Sequence, residues 1–165
     1  MRHAITVTHI ERDQFAVDIR GHRLLVDQPQ QAHELEAGPA PVELWVAALA
    51  ACVAHFAHRV LARVDPAATL VATCEYEMSD AAPWRVAFVH VVLTLPPLSA
   101  ERMVSIRRAA EHCTVGRSLE RPPEVVVTLR REPVATPAMT AVDGGGAPIL
   151  SGAAAAPNGG GRREP

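Results

Sequence analysis

"LWVAALAACVAHFAHRV", residues 44–60, is the stretch whose reading decides the fold. From 44 to 57 it is apolar nearly all round, the pattern of a helix buried on most sides. Its many alanines let another backbone approach closely. Pro41 suits a first helical turn and Glu43 suits the positive end of the helix dipole, so the helix is expected to begin near Pro41. It should run to about Arg63, where Asp65-Pro66 stops it. Cys52 sits in its middle. His55 follows at the i+3 position on the same face, and His58 lies about 120° away at i+6. Cys52 can be a small core residue, a metal ligand or a working thiol.

Outward from this helix the strand period dominates. Residues 4–11, 15–20 and 23–27 alternate apolar and polar, and Gly21-His22 between the last two fits a type II′ hairpin turn. The chain is therefore expected to open as an antiparallel meander. Residues 28–41 are polar and proline-containing and read as a loop. After the helix, 69–79 alternates, with Leu70, Ala72, Cys74, Tyr76 and Met78 on one face; Cys74 reads as core packing. Residues 84–95 form a longer strand that Pro96-Pro97 ends. Ser99 caps a second helix, about 100–112, and "CTVGRSL" (113–119) follows as a short turn or helical piece. "EVVVTLR" (124–130) reads as the last strand. The order β-β-β-α-β-β-α-β is that of an α+β domain.

Composition narrows the function classes. The chain has 165 residues, enough for one domain and a tail. Net charge is −2, and aromatics make up only 4%, so neither a basic stripe nor a stacking platform for nucleic acid is present. All 16 basic residues are arginine, which lowers the weight of any single one. No apolar h-region opens the chain and no apolar run is read as long enough for a membrane span, so a cytoplasmic protein without membrane contact is expected. Three cysteines are too few and too sparse for a disulfide scaffold. Residues 144–161 hold seven of the ten glycines, and the segment from 132 onward is expected to be disordered.

Two segments carry a family resemblance. "GPAPVELWVAALAAC" (38–52) resembles the first cysteine motif of the OsmC/Ohr family (osmotically induced protein C and organic hydroperoxide resistance proteins). "AEHCTVGRSL" (110–119) resembles the second, and the two cysteines stand 61 positions apart. "RGHRLLVDQP" (20–29) is similar to OsmC-like proteins outside the best-studied peroxidase branch. The resemblance covers about 3–130 and implies an OsmC-like domain over 1–131, with antiparallel sheets around two long helices, followed by the tail 132–165. It also implies an intertwined homodimer with sites at the subunit interface. The implied chemistry is reduction of organic hydroperoxides in oxidative-stress defence. Cys52 would attack the peroxide and Cys113 would resolve the sulfenic acid as a disulfide. A dithiol such as a lipoyl group would reopen it. No metal or organic cofactor is implied.

A thiol must ionise to attack a peroxide, and apolar surroundings oppose that. Family peroxidases assist with an arginine and with a glutamate ten residues before the cysteine. Here that position is Val42, and the acid, Glu43, comes one residue later. Nine residues along a straight helix place Glu43 about 13 Å from Cys52 and on the opposite side. Glu43 thus reads as a first-turn carboxylate, or as a site residue reached through a bend or a partner. Arg20 and Arg23, which flank the first hairpin, are the candidate thiolate holders, against solvated strand ends. His55 is a further candidate for lowering the Cys52 pKa. Two rival readings stay open. One is a non-peroxidase OsmC-like dimer that binds a small apolar or acidic ligand. The other is a transition-metal binder through Cys52, His55 and Cys113.

Overall fold

The computed structural model describes residues 3–28 and 37–131. Three short strands come first: β1 (Thr6–His9), β2 (Phe15–Ile19) and β3 (His22–Val26), paired antiparallel in the order β1-β2-β3. A tight turn joins β1 to β2, with Ile10 N–H donating to the Gln14 carbonyl at 2.9 Å and Arg12 at a φ of 47°. The next connection differs from the expected one. Ile19 pairs with His22, so the turn residues are Arg20-Gly21, not Gly21-His22. Both have positive φ, 51° and 85°, which is the signature of a type I′ turn. The type I′ twist matches the flanking strands, and this outweighs the preference of Arg20 for negative φ.

The long helix α1 spans Pro41–Leu61. A hairpin follows, β4 (Val71–Met78) and β5 (Val86–Thr94), in antiparallel register from Val71↔Thr94 to Glu75↔His90 and with an irregularity at Glu77/Met78. Helix α2 (Ala100–Glu111) starts at Ser99, whose Oγ accepts from Arg102 N–H at 3.4 Å. Helix α3 (Thr114–Glu120) is short. The mixed α+β architecture with antiparallel sheets is as expected.

The core lies where the C-terminal half of α1, α2 and the β4–β5 hairpin meet. Ala57, Leu61, Ala68, Ile106 and Ala110 form it, and Val53, Val60, Leu70, Leu93, Leu95 and Leu98 pack against it. Small residues at Ala57 and Ala110 let the helices come close, while Leu61 and Ile106 fill the space between them. By length and composition α1 could cross a membrane, which corrects the expectation that no run is long enough. It packs against α2, α3, β4 and β5 as a core helix does.

That packing covers only part of α1. Val46, Leu49, Ala50, Ala57 and Leu61 are buried, whereas Ala47, Ala48 and Ala51 are exposed and Trp45 is 38% exposed. A helix buried on most sides was expected, and the single chain buries one face.

The expected last strand is not formed. Residues 122–131 have no regular secondary structure. The chain divides between Val125 and Val126. Val125, on the first side of this division, is exposed, as are Val126, Val127 and Leu129 on the second. The apolar composition is that of a strand, but a strand needs a ladder partner, and none is present among the described residues. The tail 132–165 lies outside the described residues.

Candidate functional site

The two cysteines meet through three helices. Cys52 occupies the middle of α1 and is half-buried. Cys113 stands between α2 and α3 and is 1% exposed. Helix α2 ends at Glu111, His112 leaves the helical conformation, and Cys113 turns extended, with φ −65° and ψ 147°. Cys113 thereby becomes the residue that caps α3. Its Sγ stands where a serine or aspartate oxygen usually stands and accepts from Gly116 N–H at 3.2 Å. One residue earlier, Val115 N–H donates to Cys52 Sγ at 3.5 Å, linking α3 to α1 across 63 positions.

The first turn of α3 therefore gives one amide to each sulfur. The two thiols are also direct neighbours. Burial pushes the Cys113 thiol above its ordinary pKa, and the Gly116 N–H opposes this. Next come a hydrogen bond with Cys52 and the charge Cys52 would carry, both raising it, and finally the lowering effect of Val115 N–H. Both cysteines are free thiols. A Cβ at Gly116 would lie 3.1 Å from Cys113 Sγ, so a larger residue there would push the sulfur by a few tenths of an ångström.

The other expected site residues stand elsewhere in the single chain. Glu43 caps its own helix, its Oε2 accepting from Ala40 N–H at 2.7 Å, as the N3 carboxylate of a capping box does. Arg23 pairs with Asp18 across the β2–β3 ladder through two bonds of 2.8 and 2.9 Å. That pair lowers the Asp18 pKa and raises that of Arg23, first through the hydrogen bond. Arg20 is a turn residue at positive φ. His55 is exposed and packs edge-on against Phe56, 6.2 Å between ring centres. None of these four forms a hydrogen bond or ion pair with either thiol. Cys74 is half-buried on β4, where burial raises its pKa. Among the described residues no three His, Cys, Asp or Glu side chains come together as metal ligands would.

Two features were not read from the sequence. The amides of Val115 and Gly116 are one; the signal was a glycine three residues after a cysteine at a helix start, the spacing of a cap and its donor. The other is Asp27, buried at 5% exposure. Its carboxylate accepts from Gln14 Nε2 (3.2 Å), Gln28 N–H (2.8 Å) and Ala37 N–H (3.0 Å), tying β2, β3 and the approach to α1 together.

A groove of about 600 Å³ lies between β5 and α2. Val53, Leu93, Met103 and Ile106 supply apolar walls, and Arg107 and Glu111 supply charge. It includes neither sulfur.

The family model described as OsmC-like protein matches residues 32–128. No curated protein matches. Solved structures share the fold at low identity. A protein from Psychrobacter arcticus 273-4, named for an osmotic-stress-induced detoxification response, is 22% identical with a TM-score of 0.61, over 69% of this chain and 85% of that one. An OsmC-like protein from Mycoplasma pneumoniae is 16% identical with a TM-score of 0.58, over 73% and 88%. An organic hydroperoxide resistance protein OsmC from Legionella pneumophila is 16% identical with a TM-score of 0.53, over 71% and 89%.

Proposed function

We propose, from the premise that this chain belongs to the OsmC-like protein family, that it is a homodimeric reductase of organic hydroperoxides working through Cys52 and Cys113. The observation that carries the reading is the meeting of the two thiols. They are 61 positions apart in sequence, on different elements, and lie side by side with a backbone donor on each sulfur.

The chemistry proceeds in two steps. The Cys52 thiolate attacks the distal oxygen of the hydroperoxide; the O–O bond breaks, leaving a sulfenic acid on Cys52 and an alkoxide that leaves as the alcohol after taking a proton from solvent. Cys113 then gives up its proton, and its sulfur attacks the Cys52 sulfur and displaces hydroxide, which leaves as water. A dithiol, lipoyl-type in this proposal, reduces the disulfide back to two thiols and is itself oxidised.

The homodimer is supported by the uncovered apolar face of α1 around Trp45, Ala48 and Ala51. A second copy on that face would also be the route by which Arg20 or Arg23 reaches a thiol, since neither does so within one chain. The cytoplasmic setting belongs to the same proposal, because free thiols persist in a reducing compartment.

The test is consumption of cumene hydroperoxide against hydrogen peroxide with a dithiol reductant, for wild type, Cys52→Ser and Cys113→Ser. Turnover that favours the organic peroxide, is lost in Cys52→Ser and stalls after one turnover in Cys113→Ser is expected. Full turnover in Cys52→Ser would end the proposal.

One observation favours a second reading, a family member that binds a small ligand without peroxidase chemistry. The groove between β5 and α2 combines apolar walls with the Arg107 cation, a suitable pairing for an apolar carboxylate. Titration with medium-chain fatty acids separates the two: binding abolished by Arg107→Gln, in a protein with no peroxide turnover, would put this reading first.

A further inference from the structure

We propose that the unpaired edge of β5 takes residues 124–130 of a second copy as an added antiparallel strand, with Val127 opposite Val91. The inference rests on the homodimer of the first reading and adds which segment of the second copy seats where.

Two unsatisfied elements point to each other. β5 pairs with β4 on one side, and among the described residues its other edge has no strand partner. The groove between β5 and α2 is lined by His90, Val91, Val92 and Leu93 in succession. Successive side chains point to opposite faces of a strand, so a cavity that meets four in a row runs along the strand edge. That edge presents backbone N–H and C=O groups. A hydrocarbon tail would leave them unpaired, whereas an added strand bonds them. The second element is 124–130. It has no regular secondary structure, and Val125, Val126, Val127 and Leu129 are between 74% and 93% exposed. Adjacent valines favour a strand, and this one lacks a ladder.

Alternation fixes the faces. Ala72, Cys74 and Tyr76 pair with Leu93, Val91 and Val89, and all six are half-buried. With Val127 opposite Val91, Val125 and Leu129 stand opposite Leu93 and Val89, so three apolar side chains join the half-buried face. There they would cover Met103 and Val104, which line the groove from α2 and are exposed in the single chain.

Charge fixes the direction. The exposed face of β4 carries Glu75 and Glu77, opposite His90 and Phe88. In the antiparallel register Arg130 stands opposite Phe88, in the row of Glu77, and Glu124 stands opposite Thr94 at the far end. A parallel strand would exchange the two and set Glu124 in the row of Glu77, where like charges repel. The groove lining includes Val53, the residue after Cys52, so the added strand covers a flank of the helix that carries the thiol.

The test is a cross-link between copies. Chains carrying Val91→Cys are labelled with nitrogen-15 and chains carrying Val127→Cys are not; the two are mixed in urea, refolded together and oxidised. Directly opposed Cα atoms lie about 4.5–5.5 Å apart, within disulfide reach. Peptide mass spectrometry is expected to find a disulfide joining the heavy peptide of position 91 to the light peptide of position 127. Val126→Cys, on the other face, should give none with position 91. Should the half-buried pair not fold by circular dichroism, His90→Cys with Thr128→Cys on the exposed face replaces it. Val127→Glu should also weaken the dimer about tenfold or more in sedimentation velocity.

A chain carrying both Val91→Cys and Val127→Cys, heavy and light mixed, should give mixed heavy–light disulfides. Unmixed disulfides alone would mean that each chain folds its own segment back, and would overturn the proposal. A dimer that forms without the cross-link would end the strand and leave the homodimer standing. Hydroperoxide turnover of the wild type reads the peroxidase proposal separately: a cross-link without turnover keeps the strand and ends the peroxidase.

Discussion

Gly38→Ala should destabilise the fold by about 2–3 kcal/mol, for a reason that can be worked from the geometry. Gly38 lies face-on against the backbone of β3. A Cβ there would lie 2.7 Å from the Leu25 carbonyl carbon and 3.3 Å from Val26 N, and closer still to the Leu25 oxygen. Ordinary contact begins near 3.4 Å, so the two backbones must separate by about 0.7 Å or more. Neither is free to move. Ala37 N–H donates to Asp27 at 3.0 Å and Asp27 N–H donates to the Pro39 carbonyl at 3.3 Å, one bond on each side of Gly38. Separation therefore strains at least one hydrogen bond worth about 1 kcal/mol, added to an overpacking cost of about 1–2 kcal/mol. Urea unfolding followed by circular dichroism should show a midpoint lower by about 1–1.5 M with an unchanged slope. The thermal midpoint should fall by about 5–10 °C. Gly21→Ala is the contrasting control. Nothing lies within 4 Å of a Cβ there, so its cost comes only from a φ of 85° and should be about 1 kcal/mol. A Gly38→Ala midpoint equal to the parent's would mean that residues 37–39 lift freely off β3, and the close-approach argument would fail.

The other predictions concern the residues around the proposed chemistry. Arg20→Asn should raise stability by about 0.5–1 kcal/mol, because asparagine tolerates the positive φ of a type I′ turn; a loss of stability would refute that turn, and a loss of turnover in a stable protein would put the guanidinium at the thiols of a partner. Glu43→Gln should leave turnover unchanged and cost at most about 0.5 kcal/mol, since glutamine also accepts from the Ala40 amide and only the charge at the helix N-terminus is lost, whereas Glu43→Ala should cost about 1 kcal/mol; abolished turnover in Glu43→Gln would show that the charge itself is needed. Cys113 and Cys74 both have thiol pKa values raised by burial, so between the ordinary thiol value and the folded one the unfolded chain holds fewer protons. Their contribution is fully present below the ordinary thiol range and is lost as pH rises above about 8.5. Urea midpoints from pH 7 to 9.5 should fall less steeply in Cys113→Ser than in wild type, and an identical fall would remove the thiol from the account.

What could be read from the sequence, and what could not, divides along a physical line. Alternation and helical periodicity are properties of a segment facing one core, so α1, α2 and all five strands stood where the pattern put them. The turn type was missed because it depends on which of two adjacent pairs closes the ladder: Ile19↔His22 moves the turn back one residue and forces positive φ on an arginine, a residue that gives no sign of it. The strand expected at 124–130 fails for a related reason. Three valines state that a segment can pair but not with what, and its partner is not among the described residues. Neither kind of pattern can name a partner.

The thiol site shows the same limit from the other side. The two cysteine motifs were visible, as residue types are. The donors between them were not, because an amide N–H carries no residue identity, and the sequence showed only the glycine that lets one of them approach. The carboxylate offers a sharper contrast. Displaced by one position, Glu43 moves about 100° around the helix, which is enough to turn a residue expected near the thiol into a cap on its own helix. The charge it would have organised needs another holder, and within one chain neither Arg20 nor Arg23 bonds a sulfur. A second copy seated on the exposed face of α1 is the remaining source of a guanidinium. Arg20→Gln and Arg23→Gln, assayed for hydroperoxide turnover beside urea unfolding, test that source directly. Loss of turnover in one of the two stably folded variants is expected, and full turnover in both would remove the arginine from the chemistry.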